Sequence, residues 1–307
     1  VNIQINSCVI GMIFNIPHYN FFEGTSDGSP YDSSANHGTS VAGLIAAEAN
    51  NSRGVAGVAP QANLASWVIF GTSLGEESVG TDEQLMDMFQ YASNRVAVQN
   101  HSWGSATFAQ QGITSLEDNG IANAVSLGRG GKGVVMVRSA GNSREDMVNA
   151  NDDGYACDPR VIAVAAVRKD GRACTYSNPG ACVLVGAPSG DLVDSDGDGL
   201  FDTQDPDEPG VYTTDRTGSA GYSTSTTEAG DYYSDFNGTS ASSPQVAGVA
   251  ALVLAANTNL AARDVQQIIL LSSRHFDLAD PDVKTNGAGL RFSHNVGFGV
   301  PDAGTAV

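Results

Sequence analysis

Asn237-Gly238-Thr239-Ser240-Ala241-Ser242-Ser243-Pro244 opens an Ala/Val-rich stretch that runs to about residue 256. The pattern places a hydroxyl in the first turn of an apolar helix, behind a glycine that permits close backbone approach. Two other segments have the same design. His37-Gly38-Thr39-Ser40-Val41-Ala42-Gly43 sets an imidazole at the start of a second small-residue helix, and Ser139-Ala140-Gly141-Asn142 ends a strand in a side-chain amide. Singly, these are an N-cap, a capping histidine and a turn. Together they supply what acyl transfer requires: a serine beside a base, and donors aimed at a developing oxyanion. Ser240 is the candidate nucleophile, His37 the base and Asn142 the donor. The helix N-terminus at Ser240 adds backbone N–H groups and the positive end of a helix dipole.

Outward from these blocks, apolar runs alternate with helix-period stretches, which predicts βαβ units and a mainly parallel sheet flanked by helices. Strands are expected at residues 63–69, 96–100, 133–138, 161–167 and 182–186, and helices at 81–94, 114–127, 240–256 and 260–272. No repeat and no Pro/Ser linker divides the chain, so residues 1–307 read as one α/β domain. Residues 191–210 form an acidic insert within it.

The sequence holds 34 acidic and 15 basic residues, a net charge of -19. Such a field repels phosphate backbones and anionic lipid, so nucleic acid and membrane surfaces are excluded as first partners, and cations and basic substrates are favoured. No apolar run reaches the length of a bilayer span. Cys8, Cys157, Cys174 and Cys182 show no zinc spacing. Cys174 and Cys182 bracket a turn-rich segment that a disulfide could close, with buried free thiols as the other reading. The first residues carry no charged-then-apolar leader.

In the order His, Asn, Ser, the three blocks resemble the signature of the subtilisin-like serine peptidases. Asn50-Asn51-Ser52-Arg53-Gly54-Val55-Ala56-Gly57-Val58-Ala59-Pro60 resembles that family's calcium loop, and Ser102-Trp103-Gly104 resembles its substrate-pairing strand. Asp153-Gly154-Tyr155, Tyr212-Thr213-Thr214-Asp215, Gly238-Thr239-Ser240-Ala241 and Asn286-Gly287-Ala288-Gly289 are similar to the kexin/furin branch and its bacterial relatives. The resemblance implies a subtilisin-like three-layer fold, secreted, extracellular or periplasmic serine endopeptidase chemistry on protein or peptide substrates, and structural calcium held by Asn51, Arg53 and Val55. It implies substrate contacts from Ser102, Trp103, Gly104, Ser139, Ala140 and Gly141, and a β-rich domain beyond Val307.

The family's third triad member, an Asp ending an early strand, has no match here. Residues 1–22 contain no Asp or Glu, and Glu23, Asp27 and Asp32 lie in a loop close before His37. The first strand is therefore expected to be missing, and the chain to be an N-terminally incomplete and nearly inactive piece of an active peptidase. The competing reading is a catalytically silent calcium-binding module on the same fold. A nucleotide-binding protein is excluded by the lack of a phosphate-loop motif.

Asp194, Asp196, Asp198, Asp202 and Asp205 alternate with glycine and polar residues as in short calcium-wrapping loops, resembling thrombospondin-type and dockerin-type repeats. Members of the furin branch cut after basic residues with acidic pockets. By resemblance, Asp153 is the candidate pocket acid and Glu208 a further calcium ligand, although residues 105–108 lack that branch's acids.

Overall fold

The computed structural model describes residues 7–11, 17–30, 35–73, 76–104, 109–196, 201 and 203–307. In chain order the elements are β1 (Ser7–Gly11), β2 (Tyr19–Asn20), α1 (His37–Ala46), β3 (Asn63–Val68), β4 (Phe70–Ser73), β5 (Glu76–Val79) and α2 (Asp82–Gln90). Then come β6 (Val98–His101), α3 (Ser115–Gly131), β7 (Val135–Ser139), β8 (Val161–Val167), β9 (Val183–Pro188), β10 (Leu192–Val193) and β11 (Thr203–Gln204). β12 (Val211–Thr214), β13 (Tyr232–Phe236), α4 (Thr239–Ala256) and α5 (Ala262–Leu271) complete the part that builds the site.

Seven strands form the central sheet in the order β2-β3-β1-β6-β7-β8-β9. Pairings from β6 through β9 are parallel, as is β2 with β3. The two faces separate by the period of two expected of a strand buried on both sides. On β7, Val135 and Val137 pack with Val41, Ile45, Val246 and Ile269 from α1, α4 and α5. Met136 faces the other way, toward Leu85, Phe89 and Ile121 of α2 and α3. Every residue of β8 is buried, and its seven apolar side chains fit the middle of a three-layer α/β structure.

The missing-strand expectation is corrected in one respect. Residues 7–11 fill the gap between β3 and β6, but run antiparallel to both. That segment contains no acid, so it closes the sheet's hydrogen bonding without supplying a carboxylate.

Helix starts follow capping chemistry. Thr81 with Gln84 and Thr114 with Glu117 each form a reciprocal capping box, fixing where α2 and α3 begin. α3 leaves helical geometry at Gly128–Gly130, close to its predicted end at Leu127. α4 is long and apolar enough to cross a membrane, but 72% of it is buried inside the protein.

Candidate active site

His37 is the first residue of α1, and Ser240 lies in the first turn of α4. The two helices pack against each other on one face of the sheet. Phe236, at the end of β13, touches the His37 ring with centroids 5.4 Å apart, four residues before the serine. The β12–β13 hairpin clamps α1 as well: Thr213 Oγ1 donates to the Ser40 carbonyl at 2.7 Å and Thr214 Oγ1 to the Thr39 carbonyl at 2.8 Å. This approach requires Gly43, where a Cβ would lie 2.2 Å from Thr214 Oγ1.

Gly238 turns the chain into α4 with a φ of 85°, a region that L side chains rarely enter. Behind it, Asn142 Oδ1 accepts from both the backbone N–H and the hydroxyl of Thr239, each at 2.8 Å. Because the Thr239 N–H can only donate, the amide oxygen must face it. The Asn142 Nδ2 is thereby turned toward Gly238, whose Cβ position lies 3.0 Å from it. An oriented amide N–H beside a serine at a helix N-terminus is the geometry that stabilises an oxyanion.

Ser240 Oγ donates to the Ser102 carbonyl at 3.3 Å. Its hydroxyl therefore sits on the Ser102-Trp103-Gly104 segment, the strand expected to lie along a substrate backbone. The opposite wall is Ser139-Ala140-Gly141, tied across by Ser139 Oγ to the carbonyls of His101 and Trp103, both at 3.4 Å. A small pocket between these walls is lined by Gly104, Ser139, Ala140, Gly141, Asp152 and Asp153, among others.

His37 is held neutral by burial, which pushes its pKa down to about 4. Asp27 Oδ1 accepts from the Ser29 N–H and its charge acts on His18, while Glu23 is exposed. Neither orients His37, and Asp32 lies outside the described residues.

Asn51, Arg53 and Val55 fall on one exposed turn after α1. Asn50, Ser52 and Gly54 alternate with them in left-handed conformation, at φ of 62°, 59° and 47°. Asn51 Oδ1 accepts the Arg53 N–H at 3.0 Å. A turn coiled in this way, offering an amide oxygen and main-chain carbonyls, has the donor chemistry that suits calcium.

The acidic insert becomes the β10–β11 hairpin. Asp194 and Asp196 follow β10 and Asp205 follows β11, while Asp198 and Asp202 lie outside the described residues. Asp205 Oδ1 accepts from the Asp207 N–H at 2.8 Å. The buried Glu208 carboxylate is held by Arg168 at 3.4 Å and the Lys169 N–H at 2.9 Å. Among the described residues no three His, Cys, Asp or Glu gather to hold a metal.

Two features escaped the sequence reading. Asp153 pairs with Arg138, a residue buried to 2% exposure within β7. The cysteines follow the free-thiol reading rather than the disulfide one: Cys174 is buried and its thiol donates to the Gly190 carbonyl, whereas the Cys182 thiol faces Cys157. The Cys174–Cys182 pairing is thus replaced by a Cys157–Cys182 neighbourhood of free thiols.

A three-layer fold with a histidine and a serine at two helix starts and an oriented asparagine just beyond a strand end defines the subtilisin-like class. The subtilase family model matches residues 15–299, and the chain belongs to that family. It is 36% identical over 263 residues to a calcium-dependent protease of Trichormus variabilis, covering 80% of this chain and 36% of that protein. It is 32% identical over 277 residues to human neuroendocrine convertase 2, covering 88% of this chain and 39% of that one. Among solved structures, the serine protease of Aeromonas sobria superposes with a TM-score of 0.80 at 24% identity, over 95% of this chain and 56% of that chain. The chain thus spans well under half the length of these curated relatives.

Proposed function

We propose that the protein is a serine endopeptidase that hydrolyses peptide bonds through an acyl-enzyme. Ser240 Oγ attacks the scissile carbonyl while His37 takes its proton. The Asn142 Nδ2 and the N–H groups at the start of α4 hold the tetrahedral oxyanion, and His37 returns the proton to the leaving amine. Extended substrate lies along Ser102-Trp103-Gly104 and Ser139-Ala140-Gly141. The observation that carries this reading is the pair of hydrogen bonds from Thr239 to Asn142 Oδ1, which aims the amide N–H at the serine's side of the site. A silent module would have no use for that orientation.

Calcium stabilises the turn at Asn51, Arg53 and Val55, and the acidic hairpin at Asp194–Asp205 takes a second ion. The name of the Trichormus variabilis relative, a calcium-dependent protease, supports calcium, and the family resemblance supports an exported location. EDTA is expected to lower the melting temperature, with calcium restoring it.

A fluorophosphonate probe applied to the full-length protein is expected to label Ser240. Labelling is lost in Ser240→Ala and slowed by orders of magnitude in His37→Ala. Labelling that survives Ser240→Ala would sink the assignment.

A further inference from the structure

A small pocket is lined by Gly104, by Ser139, Ala140 and Gly141, which lead directly into Asn142, and by Asp152 and Asp153; on the endopeptidase reading it takes the side chain of the residue whose carbonyl is attacked. Asp153, the acid that resemblance assigns to a basic substrate side chain, is part of its lining. In the structure that acid already has a cation. Arg138 Nη2 binds Asp153 Oδ2, and the guanidinium lies 4.3 Å from the Trp103 ring centroid and 4.6 Å from that of Tyr155. The pair sits directly under the wall: a Cβ on Gly104 would lie 3.3 Å from Arg138 Nη2 and 3.5 Å from Asp153 Oδ2.

We propose that Arg138 is a specificity-determining residue. It stands where a substrate cation would, and makes the pocket select a small uncharged side chain before the scissile bond while rejecting Arg and Lys. This rests on the endopeptidase reading above.

Three observations carry it. Asp153 is nearly saturated: Oδ1 accepts the N–H groups of Tyr155 and Ala156 at 2.9 and 3.1 Å, and Oδ2 is bound to Arg138. Burial alone would raise its pKa, but the charge and hydrogen bond of Arg138, together with the Ala156 and Tyr155 N–H groups, outweigh that and hold it ionised. Arg138 cannot yield its place by losing its proton, since a guanidinium stays charged, and the Trp103 and Tyr155 rings lie against it. An incoming Arg or Lys would meet that fixed positive charge at contact distance. An acidic side chain would instead meet Asp152 and Asp153. Finally, the pocket leaves only about 10 Å³ of open volume, the space of about one water. A long basic chain has little room in that volume, and the acid it would seek is already bound by Arg138 beneath Gly104.

The test uses the full-length protein and peptides differing only in the residue before the cut, with active sites titrated by fluorophosphonate. The wild type is expected to cleave after Ala at least about tenfold more efficiently than after Arg, within the range that pocket contacts provide. Arg138→Ala should raise the Arg-to-Ala ratio of kcat/KM by about tenfold or more, chiefly through KM, and Arg138→Lys should keep the wild-type order. Efficient wild-type cleavage after Arg, or an unchanged ratio in Arg138→Ala, overturns the proposal. If Arg138→Ala yields no titratable sites, Asp153→Asn decides: it leaves Arg138 unpaired and should raise cleavage after Glu relative to Ala, and an unchanged ratio counts against the assignment. A wild type with no titratable serine overturns the endopeptidase reading itself, whereas a titratable protein with the wrong preference overturns only the role of Arg138.

Discussion

Ser102 and Ser240 are joined twice: Ser102 Oγ donates to the Ser240 carbonyl at 3.2 Å, and Ser240 Oγ donates to the Ser102 carbonyl at 3.3 Å. The first bond exists because of Pro244. A helix would normally satisfy the Ser240 carbonyl with the N–H four residues on, and proline has none. The freed carbonyl takes the Ser102 hydroxyl, which also contacts Ser243 Oγ at 2.8 Å and accepts from Asn100 Nδ2 at 3.0 Å. The nucleophile's backbone is thereby fixed to the substrate-pairing strand. Ser102→Ala should cost about 1–2 kcal/mol of stability by leaving a buried carbonyl without a donor. Chemical denaturation measures that loss, and a variant as stable as the parent would show that water replaces the hydroxyl.

Asn142 is held by Thr239, so its contribution can be separated from folding. Replacing Asn142 with Ala should lower kcat by about 10²–10³ with little change in KM, because the lost hydrogen bond forms only in the transition state. That magnitude comes from measurements on a member of the same family rather than from this structure. Thr239→Val, which removes one of the two orienting bonds, should have a smaller effect in the same direction. Steady-state kinetics on a peptide substrate separates the two, and a change confined to KM would place Asn142 in ground-state binding.

The sequence made the three reactive blocks legible because each couples a reactive side chain to small residues that a close-packed site needs. The helices starting near residues 81 and 114 were legible through helix-period spacing, and the capping boxes at Thr81 and Thr114 fix where they begin. The pairing of Arg138 with Asp153 was not, since it joins residues on separate elements. Its one signal was a charged residue in the apolar run Val134-Val135-Met136-Val137-Arg138. Strand alternation puts that residue on the Met136 face, against α2 and α3, where a charge requires a partner. The reversed strand at Ser7–Gly11 was hidden for another reason. Its apolar run fits a central strand in either direction, and direction is set by the neighbours.

His37 and His101 are both held below their usual pKa by burial, with Arg138 lowering His101 further. A folded-state value below the unfolded one means that the unfolded chain binds more protons in the interval between them. Stability contributed by these residues is therefore present above about pH 6.5 and is lost as pH falls, levelling off for His37 near its folded value of about 4. Urea midpoints measured across that window should decline toward acid, and His37→Gln should flatten the slope. A midpoint that rises toward pH 5 would mean that an unseen carboxylate raises the His37 pKa in the folded protein.

Cys157 is exposed and Cys182 half-buried behind it, with the Cys182 pKa pushed up to about 12 mainly by burial and further by the neighbouring Cys157 sulfur. Cys182 also donates its N–H to Asn151 Oδ1 at 3.0 Å. A bond between the two thiols would tie β9 to the segment that carries Asp152 and Asp153. Glutathione disulfide is expected to attack at Cys157 first, as the exposed thiol, and the mixed disulfide then resolves onto Cys182. Overall, two thiols become one disulfide and two molecules of reduced glutathione leave with the protons. Peptide mapping after such treatment should recover a Cys157–Cys182 cross-link and leave Cys174 as a free thiol, since Cys174 is sealed in the core against Gly190. Recovery of Cys174 joined to Cys182 would require β9 and the preceding turn to rearrange, and would restore the pairing that their spacing in sequence first suggested.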